Sequence, residues 1–168
     1  MKTSVRSAEV SDSDEIRSVY IESWRAGYQG LLPPEELEIQ AAQRFEFDWR
    51  RAIHSADEGV VLVAEQEDRI VGVMQVEADP KTAGRLPWIH MLYVVPAAWG
   101  SGAAQALVER AADLARIAGH DSIWLRMLEP QARARRFYER EGWRLDQPKG
   151  PASNGLFPLL YFRRGLAQ

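Results

Sequence analysis

Leu92-Tyr93-Val94-Val95-Pro96-Ala97-Ala98-Trp99-Gly100-Ser101-Gly102-Ala103-Ala104-Gln105-Ala106-Leu107 runs from a β-rich segment through a glycine-containing turn directly into an alanine- and leucine-rich helix. Gly100 and Gly102 lack a Cβ, so the backbone there can turn tightly and approach a ligand. The first N–H groups of the helix have no intrahelical partner, and with the positive end of the helix dipole they suit an anion such as a pyrophosphate. The turn is not a P-loop, because no Gly-Lys-Ser/Thr follows it. It is not the dinucleotide fingerprint either: Gln105 stands where the third glycine belongs, and the turn lies in mid-chain rather than after a first strand. A nucleophile elbow needs glycines two residues either side of a serine, whereas those of Ser101 are its immediate neighbours. On shape alone the stretch is either an anion cradle of another type or a plain strand-turn-helix connection.

Composition narrows the partners. A chain of 168 residues with 46% hydrophobic content suits one domain over residues 1–168 with a substantial core. The net charge of −3 offers no basic field for nucleic acid. No apolar run approaches a membrane span, and the polar start Met1-Lys2-Thr3-Ser4 does not read as a secretory signal, so a cytoplasmic protein without a membrane partner is expected. With no cysteine there is no disulfide, cysteine nucleophile or thiolate metal site, and no metal is expected.

Around the cradle, Thr3 to Ala8 reads as a first strand, and Ser11 or Asp12 as the cap of a helix through about Ala26, with Glu15 supplying the acid of a capping box. Pro33-Pro34 followed by Glu35-Glu36 opens a second helix, predicted to reach about Ala52. Val60 to Ala64 and Ile70 to Val76 form a hairpin, and a strand from Leu86 to Val95 delivers the chain to the turn. The helix from about Gly102 ends near Gly119, and as a crossover it makes the next strand, Ser122 to Met127, parallel to the previous one. Gln131 to Glu141 is a helix ending at Gly142-Trp143; two further strands, Trp143 to Asp146 and Leu156 to Arg163, flank a loop over Pro148 to Gly155. The predicted fold class is α/β (α+β): a mixed, mostly antiparallel central sheet of about six or seven strands flanked by helices.

Two segments together carry a family pattern. Trp99-Gly100-Ser101-Gly102-Ala103-Ala104 and Gln131-Ala132-Arg133-Ala134-Arg135-Arg136-Phe137-Tyr138-Glu139-Arg140-Glu141-Gly142-Trp143 resemble the coenzyme A loop (Arg/Gln-x-x-Gly-x-Gly/Ala) and the later helix (Asn-x-x-Ala-x-x-Phe-Tyr-x-x-x-Gly-Phe) of the GCN5-related N-acetyltransferases. Trp99 replaces the usual Arg or Gln, and Gln131 the usual Asn. Ile21 to Pro33 also looks like the first-helix region of a bacterial branch of this family, so the resemblance spans nearly the whole chain.

The resemblance implies the acyl-CoA N-acyltransferase fold, with a splayed parallel strand pair and acetyl-coenzyme A as co-substrate in the gap. It implies backbone contacts from Leu92 and Val94 to the pantetheine arm and a pyrophosphate held at Gly100, Ser101, Gly102, Ala103 and Ala104. Trp99, Gln131, Arg133 and Arg136 are candidates for further contacts to the cofactor, although a run of helical arginines also reads as a solvated face.

The implied reaction is direct attack of a primary amine of a small molecule or peptide on the acetyl thioester, in a ternary complex. An ammonium of pKa about 10.4 must first lose a proton, and the thiolate must gain one as it leaves. Tyr138, at the family's Phe-Tyr position, suits the second task, because a phenol of pKa about 10 keeps its proton at neutral pH; helical spacing also suits it to the core. For the base, Trp88 stands where this branch often has Glu. His90, two residues on and expected on the same strand face, is the first candidate, and Glu22 the second. By analogy Trp24, Tyr28, Trp88, Asn154 and Phe157 line the acceptor pocket, where an aromatic wall would attract an amine. Family habit adds a homodimer. The alternative is a non-catalytic acyl-coenzyme A-binding or sensor domain, which keeps the cradle without proton transfer.

Overall fold

Continuous apolar runs set β2 (Val60–Gln66) against β3 (Arg69–Glu77), joined by Glu67 and Asp68 at φ 50° and 60°, the left-handed pair that a type I′ turn requires. In the computed structural model, which describes residues 2–55, 59–77, 87–147 and 152–167, this hairpin lies within an eight-stranded sheet. β1 (Ser4–Ser7) pairs with β2, β4 (Trp88–Val94) with β3, and β5 (Ser122–Leu128) with β8 (Pro158–Gly165), all antiparallel. β6 (Arg144–Leu145) and β7 (Ala152–Ser153) add two-residue strands to β8, so the strand beyond those expected is β7. The pair β4 and β5 is parallel. Leu86, given to β4 by the sequence, and Pro148 to Pro151 of the late loop lie outside the described residues.

Strand alternation sends residues to two cores. Leu62 and Met74 face α4 (Ala103–Ile117), where Leu107, Val108 and Ala111 are buried with Ile123, Leu125 and Phe162. Val61, Val63 and Val73 face the other way, onto Ile16, Val19 and Tyr20 of α1 (Ser13–Tyr28) and Trp49 of α3 (Trp49–His54). The second helix stops early: α2 is Pro34–Phe45, and Asp48 starts α3 by accepting a hydrogen bond from Arg51 N at 3.0 Å. That break turns Trp49 inward, 5.3 Å from the Tyr20 ring.

The expected capping box is absent from α1. A short 3₁₀ turn, Val10–Asp12, precedes the helix, and Asp12 instead accepts from Glu9 N at 2.7 Å and pairs with Arg6 at 2.8 Å, which holds its carboxyl below the usual range. Glu15 accepts from Ile70 N at 2.8 Å, tying the helix to the hairpin. Among the described residues no helix is long and apolar enough to cross a membrane.

Candidate functional site

The parallel pair is joined at Trp88↔Trp124 and Ile89↔Leu125, and beyond that register the two strands pair no further. Val95 N donates to Val71 O at 2.9 Å, so its N–H points toward β3. By strand alternation the backbone groups of Val94 and Leu92 point the other way, into the gap between β4 and β5.

At the end of the gap, Gly100 and Gly102 adopt φ of 76° and 92°, a conformation that favours glycine. A Cβ added to either would meet nothing within 4 Å, so the concavity is open. Ala106 N donates to Gly102 O at 2.9 Å; the amides of Ala104 and Gln105 come before any intrahelical acceptor. These donors, at the positive end of α4, fit a diphosphate. The Ser101 hydroxyl is committed to the loop: it donates to Ala98 O and accepts from Gln66 Nε2 at 2.8 Å. Gln66, buried at the end of β2, also donates to Thr3 Oγ1 at 2.8 Å. This strut beneath the cradle escaped the sequence reading, although a glutamine closing an apolar strand was its signal.

Trp99 is exposed, with its indole laid over the cradle loop. Its Nε1 donates to Val94 O at 2.9 Å, and the guanidinium of Arg133 lies 3.9 Å from its ring centroid. Arg133 stands in the first turn of α5 (Ala132–Arg140), so the stack links the cradle loop to that helix. Gln131, the N-cap residue, lies beside the end of α1: a Cβ on Gly27 would be 3.8 Å from its Nε2. Arg136 is exposed on α5.

Tyr138 is buried, 5.9 Å ring to ring from Trp143, and burial raises its pKa above the ordinary phenol value. Tyr93, whose ring meets Tyr20 at 5.1 Å, is likewise raised, chiefly by burial and then by the phenols of Tyr20, Tyr28 and Tyr138, against the charge of Arg44. Trp24 and Tyr28 are together, stacked at 4.6 Å, with the Arg44 guanidinium 4.3 Å from the Trp24 centroid. The aromatic wall thus already holds a cation of the protein. Tyr20 reads from the sequence only as part of the apolar face of the first helix, with Ile16, Val19 and Trp24, and Arg44 and Tyr93 carry no site role there; a lone arginine between Gln43 and Phe45 gives no signal.

The remaining candidates scatter. Gln75 pairs with Met91 and Val76 with Ile89, so His90 is the extra residue of a β-bulge, and the expectation that it shares a regular strand face with Trp88 fails because alternation breaks there. His90 is exposed, with Nε2 2.7 Å from Glu77 Oε2. Trp88 packs against Trp124 at 5.7 Å and Tyr161 at 5.8 Å. Glu22 lines a cavity of about 780 Å³ with Arg17, Ile21, Arg25, Leu37 and Phe45. Two positions from Trp24 is about 200° of helix rotation, so Glu22 lies on the flank away from the Trp24 stack. Asn154 Oδ1 accepts from Leu156 N at 3.0 Å and Phe157 N at 2.7 Å, and so shapes its own turn. No ring contact joins Trp88 or Phe157 to the Trp24 cluster among the described residues. Nor, among them, do three or more His, Asp or Glu gather as a metal site.

A mixed sheet whose parallel pair parts above a glycine-bounded helix N-terminus defines the acyltransferase fold of the N-acetyltransferases. The model of the Acetyltransferase (GNAT) family matches residues 14–143, and the chain belongs to that family. Its relatives include an uncharacterized N-acetyltransferase of Mycobacterium tuberculosis, 27% identical over 82% of this chain and 86% of the relative, and one of Archaeoglobus fulgidus, 28% identical over 89% and 98%. In fold it is similar to the PaiA N-acetyltransferase of Thermoplasma acidophilum, crystallised in complex with coenzyme A (TM-score 0.82, 16% identity, 98% and 99% coverage). A GCN5-related N-acetyltransferase from Rhodopseudomonas palustris has TM-score 0.77 at 19% identity, with 99% and 97% covered.

Proposed function

We propose that this protein transfers the acetyl group of acetyl-coenzyme A to a primary amine of a small molecule or peptide by direct attack in a ternary complex. The observation that carries the reading is the parting of β4 and β5 after Ile89, which leaves the backbone of Leu92 and Val94 facing a gap that ends at the Gly100–Gly102 cradle. When bound, acetyl-coenzyme A supplies the acyl group as an activated thioester. The turn from Gly100 to Ala104 holds the diphosphate, chiefly through the amides of Gly102 and Ala104, since Ser101 N is turned to Ala98 O at 3.2 Å and Ala103 N to Ser101 Oγ at 3.4 Å. The Leu92 and Val94 backbone orients the arm. Tyr138 keeps its proton at Oη, because burial raises its pKa, and gives it to the departing sulfur. His90, oriented by Glu77 at 2.7 Å, takes the proton that the amine loses, directly or through water.

Trp88 packed among aromatic rings, where a carboxylate base is usual in this branch, favours a second reading: a binding domain without turnover. Calorimetric titration with acetyl-coenzyme A, followed by an assay of thiol release with a panel of amines, tests both. Binding with amine-dependent release is expected; binding without release would leave the sensor, and no binding would overturn both readings.

A further inference from the structure

Six arginines of this protein, Arg6, Arg17, Arg25, Arg116, Arg135 and Arg164, each lie within 3.3 Å of a carboxylate. Arg44 differs. It is half-buried, donates to Gln40 O of its own helix at 3.4 Å and to the Tyr20 hydroxyl, and among the described residues no carboxylate pairs with it. Its planar fork is held over Trp24 at 4.3 Å, and Tyr28 stacks on the same indole at 4.6 Å.

The surroundings supply neutral donors. Burial raises the pKa values of the Tyr20, Tyr28 and Tyr93 phenols, against the charge of Arg44, so these hydroxyls keep their protons. Tyr20 and Tyr93 meet edge to face at 5.1 Å. A half-buried guanidinium without a carboxylate partner and held over an indole is a site for a planar anion, which its two parallel N–H groups bind in bidentate fashion. Phenol hydroxyls beside it can donate to the same anion. A polyamine would instead bring positive charge against Arg44, which disfavours it.

We infer that Arg44 is the carboxylate anchor of the acceptor site, so that the acceptor is an amine carrying a carboxylate, as in a free amino acid. This rests on the acetyl-transfer reading for the amine end and on the Arg44–Trp24 geometry for the acid end.

The test pairs each amino acid with its amide, with spermidine as a cationic control, and measures thiol release from acetyl-coenzyme A. The acid of at least one pair is expected to exceed its amide in kcat/KM by about tenfold or more, with spermidine below both. In Arg44→Gln that ratio should fall to about one through a rise in KM for the acid; Arg44→Lys, which keeps the charge but not the fork, should be intermediate. Amides or spermidine matching the acids in the wild type would overturn the inference, as would a ratio that survives Arg44→Gln. Should acetyl-coenzyme A bind without any amine being turned over, the transfer reading fails by itself. The anchor is then tested by calorimetric titration of the coenzyme-loaded protein with N-acetylphenylalanine and its amide. A preference for the acid that Arg44→Gln abolishes supports the anchor; equal binding, or binding of neither, rejects it.

Discussion

The guanidinium of Arg133 lies over the indole of Trp99, 3.9 Å from its centroid, while the indole N–H is bonded to Val94 O. The family pattern has Arg or Gln at position 99; here the cation comes from α5 and is held beside the cradle by the ring that replaced it. If Arg133 meets a phosphate, Arg133→Ala loses a charge-assisted contact of about 1.5–3 kcal/mol, or roughly 10- to 100-fold in the Kd of acetyl-coenzyme A. Trp99→Ala frees the arginine and should cost several-fold, in line with about 0.5–1 kcal/mol for an exposed cation–π pair. Calorimetry on both variants and on the double variant checks this: the effects should be less than additive, and strict additivity would show that the two side chains act separately.

Tyr138→Phe removes one hydroxyl from a buried site and leaves the ring contact to Trp143 intact. Turnover should fall by about 10²- to 10⁴-fold with acetyl-coenzyme A binding retained. Because burial raises its pKa, Tyr138 stays protonated beyond the ordinary phenol value of about 10. The wild-type rate should therefore rise as the amine is deprotonated and show no alkaline decline up to about pH 10. A decline centred near pH 8 would assign the proton donor elsewhere.

What the sequence made legible was whatever depends on local backbone chemistry. Positive φ at Gly100 and Gly102 leaves glycine as its signature, and the helix after it leaves alanines and Leu107. Two apolar runs separated by a charged turn located β2 and β3, and the crossover fixed the parallel pair. What was hidden depends on contacts between distant segments. Glu46 and Phe47 read as more helix, and it is the burial of Trp49 against Tyr20 that breaks α2 from α3. The bulge at His90 adds one residue to β4, which alternation cannot detect. Arg44 acquires its meaning from Trp24, twenty positions upstream on another helix.

Burial of Tyr93 and Tyr138 also sets an alkaline limit on stability. Both pKa values are raised, so the folded state holds these protons more tightly than the unfolded chain. The resulting stability is fully present below the unfolded value of about 10 and is lost as pH climbs from there toward the raised folded values. Each group then removes about 1.4 kcal/mol per pH unit. Thermal unfolding between pH 8 and 11.5 should show Tm falling above about pH 10, and falling less steeply in Tyr93→Phe, which cannot ionise. An unchanged slope in that variant would mean that Tyr93 ionises freely in the folded protein.

Gly102 separates the two demands placed on the cradle. Its φ of 92° disfavours any L side chain, but the space where a Cβ would stand is empty, so Gly102→Ala meets no clash and suffers from its backbone conformation. The expected loss of stability is about 1–2 kcal/mol if the turn is retained. A methyl group over the helix N-terminus also occupies space that a diphosphate would need, beside the amides of Ala103 and Ala104. Affinity for acetyl-coenzyme A should therefore drop by at least about tenfold, while Gly119→Ala, at φ 86° beyond the far end of the same helix, should lower Tm without changing coenzyme affinity. Equal affinity in Gly102→Ala and the wild type would place the diphosphate away from this turn.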